Sequence, residues 1–253
     1  MNPVKIRNVK IGEGIPKICV PIVGVTAEEI INEAKTFDEI PVDIVEWRVD
    51  WYEKVFEVEK VKEMLLKLRS VLGEIPLLFT FRTAKEGGEK EINGETYFEL
   101  NKIAAESGAV DLIDVEILTE ETIVKKIIDC AHVNDVKVIA SNHDFNKTPG
   151  QEEIVSRLVK MQNMGADILK IAVMPQSRKD VLTLLSATEE MVTNYAEQPV
   201  ITMSMSGTGV ISRISGESFG SAMTFGAAKK ASAPGQIPVA ELEKVLNILH
   251  KYL

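Results

Sequence analysis

Eight times in 253 residues, a short β-branched run is followed by an amphipathic helical one. No other feature of the chain narrows the possible folds so far. The predicted strands are KICVPIVG (17–24), VDIVEWRVD (42–50), PLLFTFRT (76–83), LIDVEI (112–117), KVIASNHDF (137–145), DILKIAVMP (167–175), PVITMSMSG (199–207) and SAMTFGAA (221–228). Helical spacing, apolar at i, i+3 and i+4, is predicted after each one, over 26–37, 58–72, 93–108, 120–134, 151–165, 178–195, a shorter stretch around 208–218, and 239–253. Strands separated by helices run parallel, and eight such units suit a closed (β/α)8 barrel better than an open doubly wound sheet. No G-x-G-x-x-G follows the first strand, which weakens a dinucleotide-binding fold. Ahead of it, VKIRNVKIGEGIPK reads as a small hairpin around Gly12–Gly14 that could plug the N-terminal end of the barrel. The expected organisation is one barrel domain over 1–253, with the hairpin in 1–16 and a loop over 229–238 after the last strand.

Strand parity says which side chains enter the lumen, because residues two apart share a face. Val45, Trp47 and Val49 oppose Glu46, Arg48 and Asp50. Phe79 and Phe81 oppose Thr80 and Arg82. Ile113, Val115 and Ile117 oppose Asp114 and Glu116. Ser141 shares a face with His143, and Leu169, Ile171 and Val173 oppose Lys170 and Ala172. The large apolar set belongs under the helices, which sends the polar set inward. A structural lumen is filled with Val, Ile and Leu, so one carrying charges on several strands is a candidate site. The charges also sit toward the C-terminal strand ends, where barrel active sites lie.

Bulk properties exclude some partners. A net charge of −9 and a pI of about 5.1 make nucleic acid and anionic membranes poor partners for the surface as a whole. A local arginine pocket for a small anion remains compatible with that balance. No apolar run approaches the length of a membrane span, and MNPVKIRNVKIGEG lacks the apolar core of a signal peptide. Cys19 and Cys130 read as reduced core thiols of a cytoplasmic protein.

Lys170 interrupts an apolar strand and is either paired with Glu46, Asp114 or Glu116, or an amine nucleophile that forms a Schiff base with a carbonyl. A free lysine is protonated at neutral pH, but desolvation and neighbouring cations loosen that proton; Arg48, Arg82 and Arg213 are the candidate cations. His143, at a strand end on the lumen parity, is a candidate general acid/base, whereas His132 and His250 read as surface residues on helices. A base near neutrality needs an orienting group, and Glu86 just past the third strand is the natural carboxylate. SGTG (206–209) resembles a phosphate-cradling loop after the seventh strand, although two glycines in a loop are also simply a turn. No cluster has metal-ligand spacing.

In order along the chain stand EWRVD (Glu46, Arg48), FTFRTAKEGGE (Arg82, Glu86), SNHDF (His143), DILKIAVMP (Lys170), TMSMSGTG (Met203, Met205), SRISGESFGS (Arg213) and ASAPGQ (Ser232, Gln236). Together they resemble the type I 3-dehydroquinate dehydratases, over essentially the whole chain. The resemblance implies a (β/α)8 lyase of the shikimate pathway, acting without metal or organic cofactor. It implies that Lys170 forms an imine with the C3 ketone of 3-dehydroquinate, that His143 moves the C2 proton and assists the C1 hydroxyl's departure, and that Glu86 orients His143. It assigns Arg213 to the substrate carboxylate and Glu46, Arg48, Arg82, Ser232 and Gln236 to the ring hydroxyls and carboxylate. Met203, Met205 and Phe225 become apolar walls, and Ser232–Gln236 a mobile lid. It further implies a cytoplasmic homodimer in aromatic amino acid (chorismate) biosynthesis. Two other readings of the same residues stay open: a Schiff-base aldolase or transaldolase on a sugar phosphate, and a non-catalytic metabolite-binding barrel.

Overall fold

The computed structural model describes residues 1–228 and 232–253. An antiparallel hairpin, β1 (Val4–Ile6) and β2 (Val9–Ile11), comes first. The barrel strands are β3 (Lys17–Ile22), β4 (Ile44–Arg48), β5 (Leu77–Thr80), β6 (Leu112–Glu116), β7 (Lys137–Asp144), β8 (Ile168–Val173), β9 (Val200–Ser204) and β10 (Met223–Ala227). The helices between and after them are α1 (Ala27–Ala34), α2 (Val58–Leu72), α3 (Gly94–Glu106), α4 (Glu121–Val133), α5 (Gln151–Asn163), α6 (Arg178–Asn194), the short α7 (Val210–Ile214) and α8 (Gly216–Phe219), and α9 (Val239–Lys251). A two-residue strand, β11 (Ile237–Pro238), precedes α9.

Local chemistry accounts for these boundaries. Thr26 and Glu29 form a reciprocal capping box at the start of α1, as Ser177 and Asp180 do for α6. Helix α2 buries Val61, Met64, Leu65, Leu68 and Leu72, one stripe at helical spacing, and ends at Gly73. The predicted helix around 208–218 is broken into α7 and α8 at Ser215–Gly216.

The barrel strands pair in parallel in the order β10-β3-β4-β5-β6-β7-β8-β9. The seam between β9 and β10 is closed near their N-terminal ends, where the Ala222 amide donates to the Val200 carbonyl (2.8 Å) and Val200 bridges Ser221. Farther up, β11 takes the edge of β10 opposite β3, pairing Gly226 with Ile237. This short strand and the parting of β9 from β10 were not foreseen.

Parity sorted the side chains correctly. Val45, Trp47, Val49, Phe79, Phe81, Ile113 and Val115 lie in one core beneath the helices, and Ile117, Leu169, Ile171 and Val173 in a second. A third cluster fills the lower lumen with one residue from each barrel strand: Cys19, Ile44, Leu78, Leu112, Ile139, Ile168, Ile201 and Met223. Ile6 and Ile11 of the hairpin join it from below. The hairpin turns at Arg7–Asn8, however, and not at Gly12–Gly14. Two copies of VKI pair across that two-residue turn, with Arg7 in the left-handed region (φ 51°). Arg7 is held there by Asp111 (2.6 Å) and Glu74 (3.0 Å). The expected loop 229–238 includes residues 229–231, which lie outside the described residues.

Candidate active site

Two residues above the apolar ring, five of the eight barrel strands turn polar, whereas β3, β9 and β10 stay apolar with Pro21, Met203 and Phe225. Ile44 is followed on the same face by Glu46 and Arg48, Leu112 by Asp114 and Glu116, Ile139 by Ser141 and His143, and Ile168 by Lys170 and Ala172. The polar layer lines a pocket at the C-terminal strand ends. Its wall contains every residue to which the family resemblance gave a catalytic or binding role: Glu46, Arg48, Arg82, Glu86, His143, Lys170, Met203, Met205, Arg213, Phe225, Ser232 and Gln236. Gly87, Phe145, Ala172 and Ala233 complete it.

Lys170 is 3 % exposed and rises from the middle of β8. Its Nζ donates to Asp114 Oδ2 at 3.2 Å and lies 4.4 Å from the centre of the Phe225 ring. The carboxylate pairing considered from the sequence therefore exists, and it is compatible with a pocket-lining amine. Phe225 is more than an apolar wall, since its face meets a cation. Arg48 and Arg82 do not act as free cations. Arg48 forks onto Asp50 through Nε and Nη2, both at 2.8 Å. Arg82 donates to Asp114 (2.7 Å), Glu116 (2.8 Å) and Ser141 (3.1 Å). Burial pushes Asp114 upward, but Arg82, Lys170 and the Ser141 hydroxyl outweigh it and hold its carboxyl below the usual range.

Directly across from Ala172, His143 stands at the end of β7. The small Ala172 side chain leaves the imidazole room. His143 Nδ1 lies 2.9 Å from Glu86 Oε2, the His143 amide donates to that same oxygen at 2.8 Å, and Asn142 Nδ2 donates to Oε1 at 3.1 Å. Glu86 reaches this place through a tight turn. Gly87 takes a left-handed backbone (φ 84°), and a Cβ there would collide with the Phe145 ring. Burial, then Arg82, Lys170 and Arg48, holds His143 well below its ordinary value, which favours the neutral imidazole. Burial, then Glu116, pushes Glu86 up to about 8 against the opposing pull of Arg82 and its N–H donors.

Arg213, on α7, is the unusual cation. It is 1 % exposed, and its polar contacts are the Met203 sulfur (3.8 Å) and the Pro234 carbonyl (3.0 Å). Its Nε has no partner, and no carboxylate pairs with it among the described residues. Burial lowers it to about 10, which leaves it cationic at neutral pH. The planar guanidinium fork, with no protein carboxylate on it among the described residues, suits a planar carboxylate. Beside it, the Ser232 amide donates to Gln236 Oε1 (2.8 Å) and Gln236 Nε2 donates to Ser232 Oγ (3.0 Å), so these two residues brace each other.

Glu46 accepts from the Thr80 hydroxyl at 2.9 Å. SGTG does not line the pocket. The amides of Gly209 and Val210 close the loop on Ser206 and Gly207, and the Ser206 amide donates to Pro234, so these N–H groups are not available to a phosphate. Asp50, Asp114, Glu116, Ser141 and Asn142 support the pocket from behind and were not among the expected site residues. Lumen parity marked Asp50, Asp114, Glu116 and Ser141. Asn142 carried no such signal, because it lies on the opposite face of β7 and reaches Glu86 at the strand end while accepting from Arg157 (2.7 Å).

A parallel α/β barrel with this layered lumen defines an α/β-barrel enzyme. The sequence model of type I 3-dehydroquinase matches residues 18–253. A 3-dehydroquinate dehydratase of Clostridium botulinum (strain Eklund 17B / Type B) is 61% identical over 248 residues, 98% of each chain. The crystal structure of a type I 3-dehydroquinate dehydratase from Clostridium difficile with covalently modified comenic acid superposes with a TM-score of 0.97 at 58% identity, covering 100% of this chain and 99% of that one. The 3-dehydroquinate dehydratase structure from Enterococcus faecalis gives 0.92 at 48% identity, covering 97% and 99%. The chain belongs to the type I 3-dehydroquinase family.

Proposed function

We propose that this enzyme eliminates water from 3-dehydroquinate to give 3-dehydroshikimate, through an imine at Lys170. One observation carries the reading: a single pocket brings the Lys170 amine, the neutral His143 backed by Glu86, and the carboxylate-free Arg213 against one small volume. Arg213 takes the substrate carboxylate. Glu46, Arg48, Arg82, Ser232 and Gln236 meet the ring hydroxyls and the carboxylate, and Met203, Met205 and Phe225 supply the apolar faces.

The chemistry follows from these places. The Lys170 amine attacks the C3 carbonyl carbon, forming the N–C3 bond, and the carbonyl oxygen leaves as water after proton transfers through His143. The resulting cationic imine withdraws electrons from C2. His143 takes the C2 proton, the C2–H electron pair becomes the C1–C2 double bond, and the C1 hydroxyl departs as water with a proton returned by His143. Water then hydrolyses the imine, freeing Lys170. The covalently modified acid in the C. difficile relative supports a site of this kind. SGTG stands outside the pocket and spends the Ser206 and Gly209 amides within the protein, which speaks against a sugar-phosphate aldolase.

The finer expectations join this reading: residues 1–253 as one barrel domain with the hairpin at its base, and a cytoplasmic homodimer. No helix among the described residues is long and apolar enough to cross a membrane. Borohydride added with 3-dehydroquinate should fix one ligand mass on the peptide bearing Lys170. No adduct, or an adduct on another residue, rejects the mechanism; retro-aldol cleavage of a sugar phosphate without dehydration rejects the substrate.

A further inference from the structure

Asp114 is fully buried, does not line the pocket, and yet is the carboxylate bonded to Lys170. Its two oxygens are divided. Oδ1 accepts from Arg82 Nη2 (2.7 Å) and from the Ser141 hydroxyl (2.6 Å), while Oδ2 faces Nζ (3.2 Å). The strand is fixed from outside as well, where Tyr97 donates to the Asp114 carbonyl (3.4 Å) and accepts from the Glu116 amide (3.1 Å). In register, Lys170 stands opposite Ser141, and Ser141 opposite Glu116, which places Asp114 one step toward the closed end of the barrel. The carboxylate thus holds Nζ from below and leaves its upper side to the pocket.

We propose that Asp114 is a positioning residue for the imine chemistry: it aims Nζ at the substrate carbon and is the fixed counter-charge of the cationic imine. The inference rests on the dehydratase reading above. Its basis is a charge balance. Asp114 and Glu116 supply two negative charges, Arg82 one positive charge, and the Lys170 nitrogen the second, while Glu86, 3.8 Å from Arg82, adds a further negative charge only above about pH 8. The set is neutral when that nitrogen is cationic and carries one excess negative charge when it is a free amine. Burial makes such an imbalance costly. The cluster therefore favours the state that withdraws electrons from C2, at the expense of the free amine that precedes it.

Asp114→Asn preserves shape and removes the charge. Under single-turnover conditions with borohydride quenching, the variant should still form an adduct at Lys170, while conversion of the substrate imine to the product imine slows by roughly 10²-fold, the size found for losing one fixed electrostatic partner. The trapped peptide should then carry the substrate-derived mass instead of one lighter by a water, and KM should change less than kcat. Ser141→Ala leaves every charge in place and removes one of the two donors that hold Oδ1; it should shift the same ratio by about threefold to tenfold, the equivalent of one hydrogen bond. Should Asp114→Asn fail to fold, Ser141→Ala carries the test. An unchanged mass ratio in Ser141→Ala, or in a folded Asp114→Asn, overturns the assignment. Absence of any adduct in the wild-type enzyme overturns the dehydratase mechanism instead, so the two failures are distinguishable.

Discussion

One oxygen of Glu86 receives His143 twice, at 2.9 Å from the imidazole Nδ1 and at 2.8 Å from the backbone amide. The amide fixes where the oxygen lies, and the oxygen fixes the ring. When Glu86 is ionised, Nδ1–H donates to it and Nε2 offers its lone pair to the pocket. A proton on Glu86 allows the opposite tautomer.

This arrangement makes Glu86 a pH-sensitive element. Its folded value of about 8 lies above the ordinary 4.5. A raised carboxyl contributes stability that is complete below its unfolded value and is lost as pH rises through the folded one. Chemical denaturation across this range should show wild-type stability falling relative to Glu86→Gln between about pH 4.5 and 8. Turnover should rise with pH through an inflection near 8 in the wild type, while Glu86→Gln lacks that inflection and loses roughly 10²-fold in kcat. A matching inflection in the variant refutes the assignment.

Arg213 gives a prediction with opposite signs for binding and folding. Its guanidinium is buried without an anion, so Arg213→Met should leave thermal stability unchanged or raised. Losing a charge-assisted contact worth about 1.5–3 kcal/mol should cost roughly 10- to 150-fold in kcat/KM. The loss should be concentrated in KM. A variant that melts earlier and binds substrate normally would make Arg213 a structural residue.

Much of this site was legible because parity is a strict rule. Once Ile168, Lys170 and Ala172 share a face, Lys170 enters the lumen whatever the surrounding loops do. The same rule carried Glu46, Asp114 and His143. It was silent on which carboxylate Lys170 meets, because that depends on the angular spacing of strands around the barrel. It could not show that Arg48 and Arg82 pair with Asp50, Asp114 and Glu116, so two of the three expected loosening cations are held in ion pairs and only Arg213 has no carboxylate on it among the described residues. Arg213 lies on a five-residue helix, where no periodicity fixes direction. At the N-terminus, Gly12 and Gly14 drew the hairpin turn toward themselves, although the repeated VKI around Arg7–Asn8 forms it.

Asp50 ties the ends of two strands together. It is fully buried, forks with Arg48, and accepts from the amides of Arg82 (3.3 Å) and Glu89 (3.2 Å). Lys90 donates to the Asp50 and Tyr52 carbonyls from the same loop that carries Glu86. Asp50→Ala should therefore cost about 3–5 kcal/mol in denaturant unfolding, the range for stranding one member of a buried pair. Activity should fall with it. Arg48→Met in the Asp50→Ala background should restore part of the stability, since it removes the stranded charge. If the double variant is no more stable than Asp50→Ala, the two residues are not a coupled pair.

The base of the barrel offers the converse test. Ile11 is completely buried and packs with the lumen ring, on the far side of the charged layer from the pocket. Ile11→Ala removes apolar volume from a closed layer, and should cost about 2–5 kcal/mol of stability. The pocket residues keep their supports from Asp50, Asp114 and Asn142, none of which touches the hairpin in its hydrogen bonding. At a temperature where the variant stays folded, kcat and KM should therefore remain within about threefold of the wild type, under 1 kcal/mol. Equal losses in stability and in kcat would mean that the hairpin tunes the geometry of Lys170 through the ring at Ile168, and the separation between a stabilising base and a reactive top would fail.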